Sequence, residues 1–352
     1  HGSELGLFIV LGTNGLQLTE KRVAALKNAG LMGAGISLDS TEAETHDEFR
    51  GLNGAWDKTM KGIRHCQQLD LSFQIHFTVT QRNRHEIDDI IALSESLGAR
   101  VINIFFLICT GRGETESDLT PAQYESALKD IIQAQENYPD MIVRPRCAPH
   151  FKRVALQLNP EAEINRISGQ ESDGCLAGLH YCRIASDGRV TACPYIETTA
   201  GDTRVDSLQQ IWEQAPQFDA LRTPQLEGKC GACEYRLLCG GCRARPVAEG
   251  KSIMAADPVC EYSPMERPVI MPLPDLAEGE ITWEEQAETR LNRIPGFIRK
   301  MVKKRAEAYV SGKNESVVQV HHLEELTARR FGSNGPGRPS LSKIKEMYRA
   351  TK

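Results

Sequence analysis

The spacing of its cysteines constrains this chain more than any other feature. Eight of the eleven lie in one stretch: Cys175, Cys182, Cys193, Cys230, Cys233, Cys239, Cys242 and Cys260. Two pairs are C-x-x-C, and Gly231, Gly240 and Gly241 lie inside or beside them. Glycine at such positions lets the backbone turn sharply, so that several thiolates can converge on one small centre. The spacing favours metal binding over disulfide bonding.

This stretch could form three kinds of cysteine site. Disulfide frameworks suit short secreted chains, whereas this chain has 352 residues and its first residues show no signal-peptide pattern. Zinc is bound by four cysteines in two C-x-x-C pairs, so eight cysteines would make two zinc sites. Iron-sulfur clusters also take four cysteines each. Spacing alone leaves zinc and iron-sulfur clusters both open.

Composition narrows the function class. The formal net charge is -5 and the pI is about 6.1, which gives no nucleic-acid-binding signature. No run of apolar residues approaches the roughly eighteen needed for a membrane span. Eleven cysteines in such a chain indicate a reducing compartment, and we expect the cytoplasm.

Strand and helix patterns alternate before the cysteine-rich stretch. Strands are predicted at 7–11 (buried), 32–38, 73–80, 101–108 and 141–145, and helices at 20–28, 56–69, 85–97 and 121–137. The segment through Arg50-Gly51-Leu52 is predicted as a loop. This alternation predicts βαβ units on a parallel sheet, either open or part of a barrel.

Polar residues follow several of the predicted strands. They are Asn14, Ser37, Asp39, Thr78, Thr80 and Arg112. Each has a simpler explanation as a turn, a helix cap or a flexible loop. Because the carboxyl ends of parallel strands share one edge, a rim of hydroxyls, amides and one arginine there would suit a ribose and a carboxylate.

The remaining segments have weaker patterns. Residues 148–174 are predicted as a connection with short helices, residues 186–193 as a β-hairpin turn with its return strand, and a helix begins near Leu208. Residues 264–280 are rich in proline and acidic residues, which predicts a linker. A helix is predicted by the helical spacing of Trp283, Ala287, Leu291 and Ile294, and a second helix is predicted at 297–306. Together they predict a small helical bundle with a solvated basic face at 303–305.

The eight cysteines resemble the SPASM extension of radical S-adenosylmethionine (radical SAM) enzymes. The shared pattern is Gly-x4-Cys at 188–193, C-x2-C-x5-C-x2-C at 230–242 and a last cysteine at 260. The resemblance implies two auxiliary 4Fe-4S clusters with crossed ligands. The first set is Cys175, Cys182, Cys193 and Cys242, and the second set is Cys230, Cys233, Cys239 and Cys260. Some relatives have only seven cysteines and leave one iron open to substrate.

The preceding region is similar to the radical SAM barrel from its third strand onward. The implied fold class is α/β: a partial (βα) barrel lacking its first strands, then a cysteine-rich SPASM cluster domain and a small α-helical domain. The resemblance makes Asn14, Ser37, Asp39 and Arg112 candidate SAM contacts. It also implies an electron donor such as ferredoxin or flavodoxin.

Two family motifs are not in the sequence. The C-x3-C-x2-C motif, which binds the cluster that reduces SAM, is absent, as is Gly-Gly-Glu-Pro. We therefore expect an amino-terminally truncated chain that is inactive alone, with a third cluster on the missing segment. Cys66, Cys109 and Cys147 are predicted to be ordinary buried thiols.

Two further resemblances concern the substrate. The segment 233–262 is similar to SPASM segments of haem-biosynthesis radical SAM enzymes, those of the alternative haem pathway and of haem d1, and 283–331 is similar to the small carboxy-terminal domain of light-independent protochlorophyllide reductase. They imply an oxidoreductase acting on a tetrapyrrole side chain by way of a 5'-deoxyadenosyl radical. Arg243 and Arg245 could meet substrate propionates, or form surface salt bridges.

The predicted domains and the alternatives complete this interpretation. The domains are a partial barrel at 1–147, a connection at 148–174, the SPASM domain at 175–263, a linker at 264–280, a helical domain at 281–332 and a flexible basic tail at 333–352. One alternative is a maturase that modifies a peptide or protein side chain. The other is a non-catalytic iron-sulfur or zinc scaffold.

Overall fold

The structure is a computed structural model of the chain. It describes residues 1–111, 119–138, 140–160, 165, 174–271, 281–292, 299, 302–303, 306–307, 309–311, 313 and 315–331.

A five-stranded parallel sheet forms the first part of the molecule. Its strands are β1 (Val10–Thr13), β2 (Gly33–Ser37), β3 (Phe73–Val79), β4 (Val101–Phe106) and β5 (Ile142–Arg146). They lie side by side in chain order. Each crossover therefore leads to the next strand, which is the connectivity of a (βα) barrel. The predicted α/β partial barrel is confirmed.

Helices follow the strands of this sheet. They are α1 (Glu20–Asn28), α2 (Ala43–Arg50), α3 (Ala55–Gln68), α4 (Ile87–Ser96), α5 (Pro121–Asn137) and α6 (Phe151–Leu158). Thr19 caps α1 by accepting a hydrogen bond from the Arg22 backbone N–H. At the start of α5, Thr120 and Gln123 form a capping box, with Pro121 as the first residue. The predicted bounds of these two helices are confirmed.

Two predictions for this region were wrong. The segment before Gly51 is helix α2 and not a loop, and Gly51 ends it at a φ of 63°. The first strand is not fully buried, because Leu7, Phe8 and Val10 are 48%, 49% and 43% exposed. β1 begins only at Val10 and pairs with β2 alone among the strands described, so no second neighbour covers its other side.

The largest core lies between the sheet and its helices. It contains the alternate apolar residues of β3, such as Ile75 and Phe77, together with Ile90, Ile91 and Ile131 from the helices. Phe151 and Val154 of α6 belong to it as well, so the chain continues to pack against the barrel beyond Cys147. Among the residues that the structure describes, no helix has the length and apolarity to cross a membrane.

The cysteine-rich part folds around a small antiparallel sheet. Its strands are β6 (Arg183–Ile184), β7 (Arg189–Thr191) and β8 (Thr199–Asp202), and its helices are α7 (Leu208–Gln214), α8 (Pro216–Arg222), α9 (Gly228–Ala232) and α10 (Ala244–Ala248). The hairpin predicted around Gly188 is confirmed as β6–β7. Val190, Ile211 and Phe218 form the centre of its core.

The carboxy-terminal part combines helices with two short strands. These are β9 (Thr282–Trp283), α11 (Glu285–Asn292), β10 (Val317–Val318) and α12 (Val320–Phe331). Ala287 and Leu291 are buried as predicted. Trp283 was wrongly placed in a helix: it lies in β9, which pairs in parallel with β10, and its Nε1–H donates to Glu307. Ile294, Phe297, residues 272–280 and the tail at 332–352 lie outside the described residues, and the domain boundaries remain predictions.

Candidate functional site

The predicted rim lies at the carboxyl ends of β1 and β2. Thr13 pairs with Ile36 across these two strands, which brings Asn14 and Ser37, the residues that follow, to neighbouring strand ends. The Asn14 side chain is exposed and accepts a hydrogen bond from Leu16 N–H. Ser37 is half-buried. Both side chains remain accessible to a ligand. Arg112, the fourth predicted SAM contact, lies outside the described residues.

Asp39 is placed differently from a ligand contact. It is fully buried, and its carboxylate accepts hydrogen bonds from Arg50 Nε at 2.6 Å and from Thr78 N–H at 3.0 Å. Burial raises its pKa, and the charge of Arg50 opposes that shift. The carboxylate therefore holds Arg50 of α2 against the strand end. Arg50 was not among the predicted site residues, although Gly51 at the end of a helical segment is a recognisable signal for the end of α2.

A cavity of about 330 Å³ opens beside this ion pair. Its walls come from the strand ends, from α2 and from the loop after β3. The lining residues are Asp39, Thr45, Glu48, Phe49, Arg82 and Asn83. The Asn83 side chain donates to Asp39 O at 2.8 Å, which ties the loop to the end of β2. A polar cavity with charges of both signs is therefore already formed at this rim.

We expect His46, at this rim, to make the stability of the fold depend on pH. His46 is buried and its Nδ1 accepts the Asp39 N–H at 3.1 Å, so the bond requires the neutral ring. Burial, helped by Arg50, lowers the pKa of His46 from 6.5 to about 4. The unfolded chain then binds more protons than the folded chain between these two values. The free energy of unfolding therefore falls as the pH drops from 6.5 to 4, by about 3 kcal/mol for this residue.

Urea unfolding at pH 7.0, 5.5 and 4.5 measures this effect. In the His46→Gln variant, the free energy of unfolding is expected to depend less steeply on pH than in the wild type. His85→Gln, at an exposed position, is the matched control. An unchanged slope in His46→Gln would contradict the assignment.

The four cysteines of the second set line one cavity. Cys230, Cys233, Cys239 and Cys260 all border it, together with Arg153 and Lys229. Burial raises the pKa of Cys239 well above its ordinary value and also raises those of Cys233 and Cys260. Buried thiols lose their protons only beside a cation, so this donor set suits a bound metal centre.

Backbone amides also point at sulfur atoms of the second set. Gly241 N–H donates to Cys239 Sγ and Asp257 N–H donates to Cys230 Sγ, both at 3.4 Å. Such bonds stabilise thiolate charge and tune iron-sulfur centres. Among the described residues, no three His, Cys, Asp or Glu side chains are arranged to hold a single metal ion.

The first set lies between the small sheet and the barrel. Cys175, Cys182 and Cys193 pack against the core of the antiparallel sheet. Cys242 packs in a separate cluster with Ile108 of the barrel, and Cys193 also contacts that cluster. Burial raises the pKa of Cys193 to about 12 and raises that of Cys242 as well, while Arg245 opposes the shift at Cys242. The assignment of these cysteines to one cluster remains a prediction.

The three remaining cysteines are not alike. Cys66 is fully buried in the barrel core, as predicted. Cys147 packs against the cluster that contains Cys242, and its backbone has a φ of 57°. Burial raises its pKa to about 11. Cys147 therefore lies beside the first set, a position that strand-and-helix patterns did not indicate. Cys109 is half-buried.

Asp257 connects the two cysteine sets. Its Oδ2 accepts the Cys242 N–H at 2.6 Å and lies 3.2 Å from His150 Nε2 and 3.4 Å from an Arg245 nitrogen. Its own N–H donates to Cys230 Sγ. Burial acts to raise the pKa of Asp257, but His150, Arg245 and the Cys242 amide hold it below its usual range. The carboxylate is therefore charged. Asp257 contacts the first set through this carboxylate and the second set through its backbone N–H.

Neither prediction for Arg243 and Arg245 was right. Both side chains are buried, each 4% exposed, so they form no surface salt bridges and are not exposed to bind a propionate. Arg243 donates to the carbonyls of Ile253 and Ala255, at 2.9 and 3.0 Å. Arg245 bonds Asp257, the Tyr124 hydroxyl and Cys147 O. Both arginines stabilise the loops that carry the cysteines, because buried guanidinium groups must be paired.

Three protein-family models match the chain. The radical SAM superfamily matches residues 3–94, an iron-sulfur cluster-binding (SPASM) domain matches 175–234, and the proto-chlorophyllide reductase 57 kD subunit matches 283–326.

Relatives with assigned functions include AdoMet-dependent heme synthases. The Methanosarcina barkeri protein is 39% identical over 270 residues, which is 75% of this chain and 77% of that protein. The Oleidesulfovibrio alaskensis protein is 37% identical over 276 residues, 76% of this chain and 71% of that protein. A PqqA peptide cyclase of Methylocella silvestris is 27% identical over 275 residues, 75% of this chain and 69% of that protein.

A solved structure shows the same fold. Streptococcus suis SuiB superimposes with a TM-score of 0.58 at 17% identity, over 74% of this chain and 62% of SuiB. The chain thus spans less than two thirds of that protein, and the likeness concerns the fold alone.

Proposed function

The chain belongs to the radical SAM superfamily, in its SPASM-containing branch, and from this premise we propose that its substrate is a tetrapyrrole. S-adenosylmethionine and 4Fe-4S clusters are the cofactors of this branch. The observation that supports the proposed substrate is the 39% identity to an AdoMet-dependent heme synthase over three quarters of the chain. The reaction proposed is loss or decarboxylation of a carboxylate-bearing side chain in haem-type biosynthesis.

We propose that residues 1–352 hold two 4Fe-4S clusters, one on each cysteine set. A cluster supplies one-electron transfer when bound. The protein supplies four thiols around one cavity for the second set, with Arg153 and Lys229 to favour their charged form. Asn14 and Ser37 are proposed to contact SAM directly, and Asp39 to position Arg50 beside it. The tetrapyrrole reaction needs an external electron donor of the ferredoxin or flavodoxin kind.

Metal analysis tests the cluster proposal. The chain contains no C-x3-C-x2-C motif, so metal content and ligand binding are the measurements that apply to it. After anaerobic reconstitution we expect about eight iron and eight sulfide per chain, four for each set. Replacing Cys239 by serine is expected to remove about four of each, and replacing Cys66, a buried thiol outside both sets, to remove none. Zinc uptake without iron would support the scaffold alternative instead.

Ligand binding tests the substrate. Iron-coproporphyrin is expected to shift its Soret band on titration with the reconstituted chain and to bind with saturation. The second candidate function is modification of a peptide, which the similarity to PqqA peptide cyclases favours. Absence of porphyrin binding, with saturable binding of a peptide encoded beside the gene, would replace the tetrapyrrole proposal by this one.

A further inference from the structure

A fifth thiol lies beside the four cysteines of the first set. Cys147 directly follows β5, at the carboxyl edge of the parallel sheet. Its side chain packs against the same apolar group as Cys193 and Cys242, which also contains Ile108 and Ile196. This packing joins the barrel to the cysteine-rich part of the chain. Because a 4Fe-4S cluster takes four cysteines, one of the five thiols is not needed as a ligand.

Hydrogen bonds from Arg245 hold Cys147 against the first set. Arg245 of α10 follows Cys242 by three residues, and its guanidinium donates to Cys147 O at 2.7 Å. The same guanidinium donates to the Tyr124 hydroxyl and lies 3.4 Å from Asp257 Oδ2. The end of β5 is thereby bonded to the segment that carries Cys242, although 98 residues separate Cys147 from Arg245 along the chain.

The backbone of Cys147 has a conformation that is unusual for a residue with a side chain. Its φ is 57°, and the other described residues with a positive φ, apart from glycine, are Asp70 and Glu266. Those two are exposed, whereas Cys147 is half-buried between packed parts of the chain. A side chain in the left-handed region costs about 1–2 kcal/mol. Such strain persists where the surrounding structure requires it, and it is common at binding sites.

The charges of these thiols act on one another. Burial raises the pKa values of Cys147, Cys193 and Cys242 most, and the charge of Cys175 raises all three further. The charge of Cys147 also raises the pKa values of Cys193 and Cys242. Arg245 opposes the rise at Cys147 and at Cys242, which favours their thiolates. Because repulsion between charges weakens with distance, these four thiols are close neighbours.

Cys182 is placed differently from these four thiols. It directly precedes β6, and it packs against the core of the antiparallel sheet. The apolar group around Ile108, which Cys147 and Cys242 share, does not include it. Burial raises the pKa of Cys182, and in the part of the chain that the structure describes no charged neighbour adds to that shift. The fold therefore separates Cys182 from the thiols that gather at the barrel.

We propose that Cys147, in place of Cys182, is the fourth ligand of the first iron-sulfur cluster. The other three ligands are Cys175, Cys193 and Cys242. The inference rests on the proposed function, which assigns a cluster to the first set. Because the carboxyl ends of parallel strands share one edge, a ligand at the end of β5 holds the cluster at the edge where Asn14 and Ser37 lie. Cys182 is then a free thiol of the small sheet.

Iron content and the EPR spectra of matched alanine variants test this assignment. Cys193→Ala is the reference, because Cys193 is a ligand whichever thiol is the fourth. After anaerobic reconstitution, Cys193→Ala and Cys147→Ala are expected to lose the same amount of iron and sulfide, about four of the roughly eight per chain. After reduction with dithionite, both should also lack the same component of the EPR spectrum. Cys182→Ala is expected to match the wild type in both measurements.

The possible failures are distinguishable. If Cys182→Ala loses iron as the reference does, with or without a loss in Cys147→Ala, the inference alone is overturned. The same holds if Cys147→Ala keeps the iron content and the spectrum of the wild type while Cys193→Ala does not. If the wild type binds about four iron or fewer and Cys193→Ala keeps all of them, the first set holds no cluster. The proposed function then loses that cluster, and the inference fails with it.

A glycine variant guards against a folding defect. Cys147→Gly removes the thiol, keeps the carbonyl that accepts from Arg245, and adopts a φ of 57° without strain. Before reconstitution, its circular dichroism and urea midpoint are expected to match the wild type. After reconstitution, its iron loss should equal that of Cys193→Ala. Full iron content in Cys147→Gly, with iron loss in Cys147→Ala, would assign the effect to the backbone and overturn the inference.

Discussion

The Asp257→Ala variant is expected to unfold at markedly lower urea concentration than the wild type, with a loss of about 3–5 kcal/mol in the free energy of unfolding. The carboxylate is fully buried between Arg245 and His150. Its removal leaves the Arg245 charge buried without its acidic partner, and leaves the Cys242 N–H without its acceptor. Iron loss after reconstitution is expected at the first set, because Cys242 N–H loses its acceptor, whereas the backbone N–H that donates to Cys230 Sγ is retained in the variant.

Three further variants separate the causes. Asp257→Asn keeps the shape and removes the charge, and should be nearly as destabilised. The double variant Arg245→Met/Asp257→Leu removes both charges and should regain part of the lost stability, since uncharged pairs avoid the desolvation cost. Asp187→Ala, on the exposed hairpin turn, should stay within about 0.5 kcal/mol of the wild type. Equal urea midpoints for Asp257→Ala and the wild type would show that the buried network does not stabilise the fold.

The Gly241→Ala variant is expected to lose the second iron-sulfur site and roughly 2–4 kcal/mol of stability. Gly241 has a φ of 70°, a conformation that a side chain strains. A methyl group there would also lie 2.9 Å from Asp257 Cβ and 3.1 Å from Cys230 Sγ. The added atom therefore displaces a thiol of the second set and the carboxylate that connects the two sets.

Gly250→Ala is the matched control for this variant. Gly250 has a φ of 72° as well, but a methyl group at that position would meet no heavy atom within 4 Å. It should lose only the roughly 1 kcal/mol that the backbone conformation costs and keep its full iron content. If both variants lose iron equally, backbone strain and not the collision at Cys230 explains the effect.

The ends of two helices were predictable because their signals are local. Thr19 and Thr120 cap helices through bonds to residues three positions away, and both predicted bounds were confirmed. The missed helix α2 shows the limit of such signals. Its residues Ala43–Arg50 have a polar sequence with only His46 buried, so hydrophobic periodicity gave little indication of a helix.

Side-chain roles were less predictable than elements. Arg243 and Arg245 had two interpretations, contact with substrate propionates or surface salt bridges, yet the fold buries both side chains. Arg144 and Arg146 were not among the predicted site residues, since in the sequence they are two charges in a short strand. Their alignment depends on Asn103, which is 41 and 43 residues away along the chain.

The sequence alone specified the fold class, through the alternation of strands and helices and the capping residues. It also specified the metal-binding chemistry, through the cysteine spacing. Each of these signals depends on residues close together in the sequence. Three features depended on the tertiary structure: the grouping of thiols around one cavity, the position of Asp257 between the two sets, and the contact of Arg144 and Arg146 with Asn103. These features arise where distant segments pack together, and the burial that accompanies packing determines which charges must be paired within the protein and which can bind a ligand.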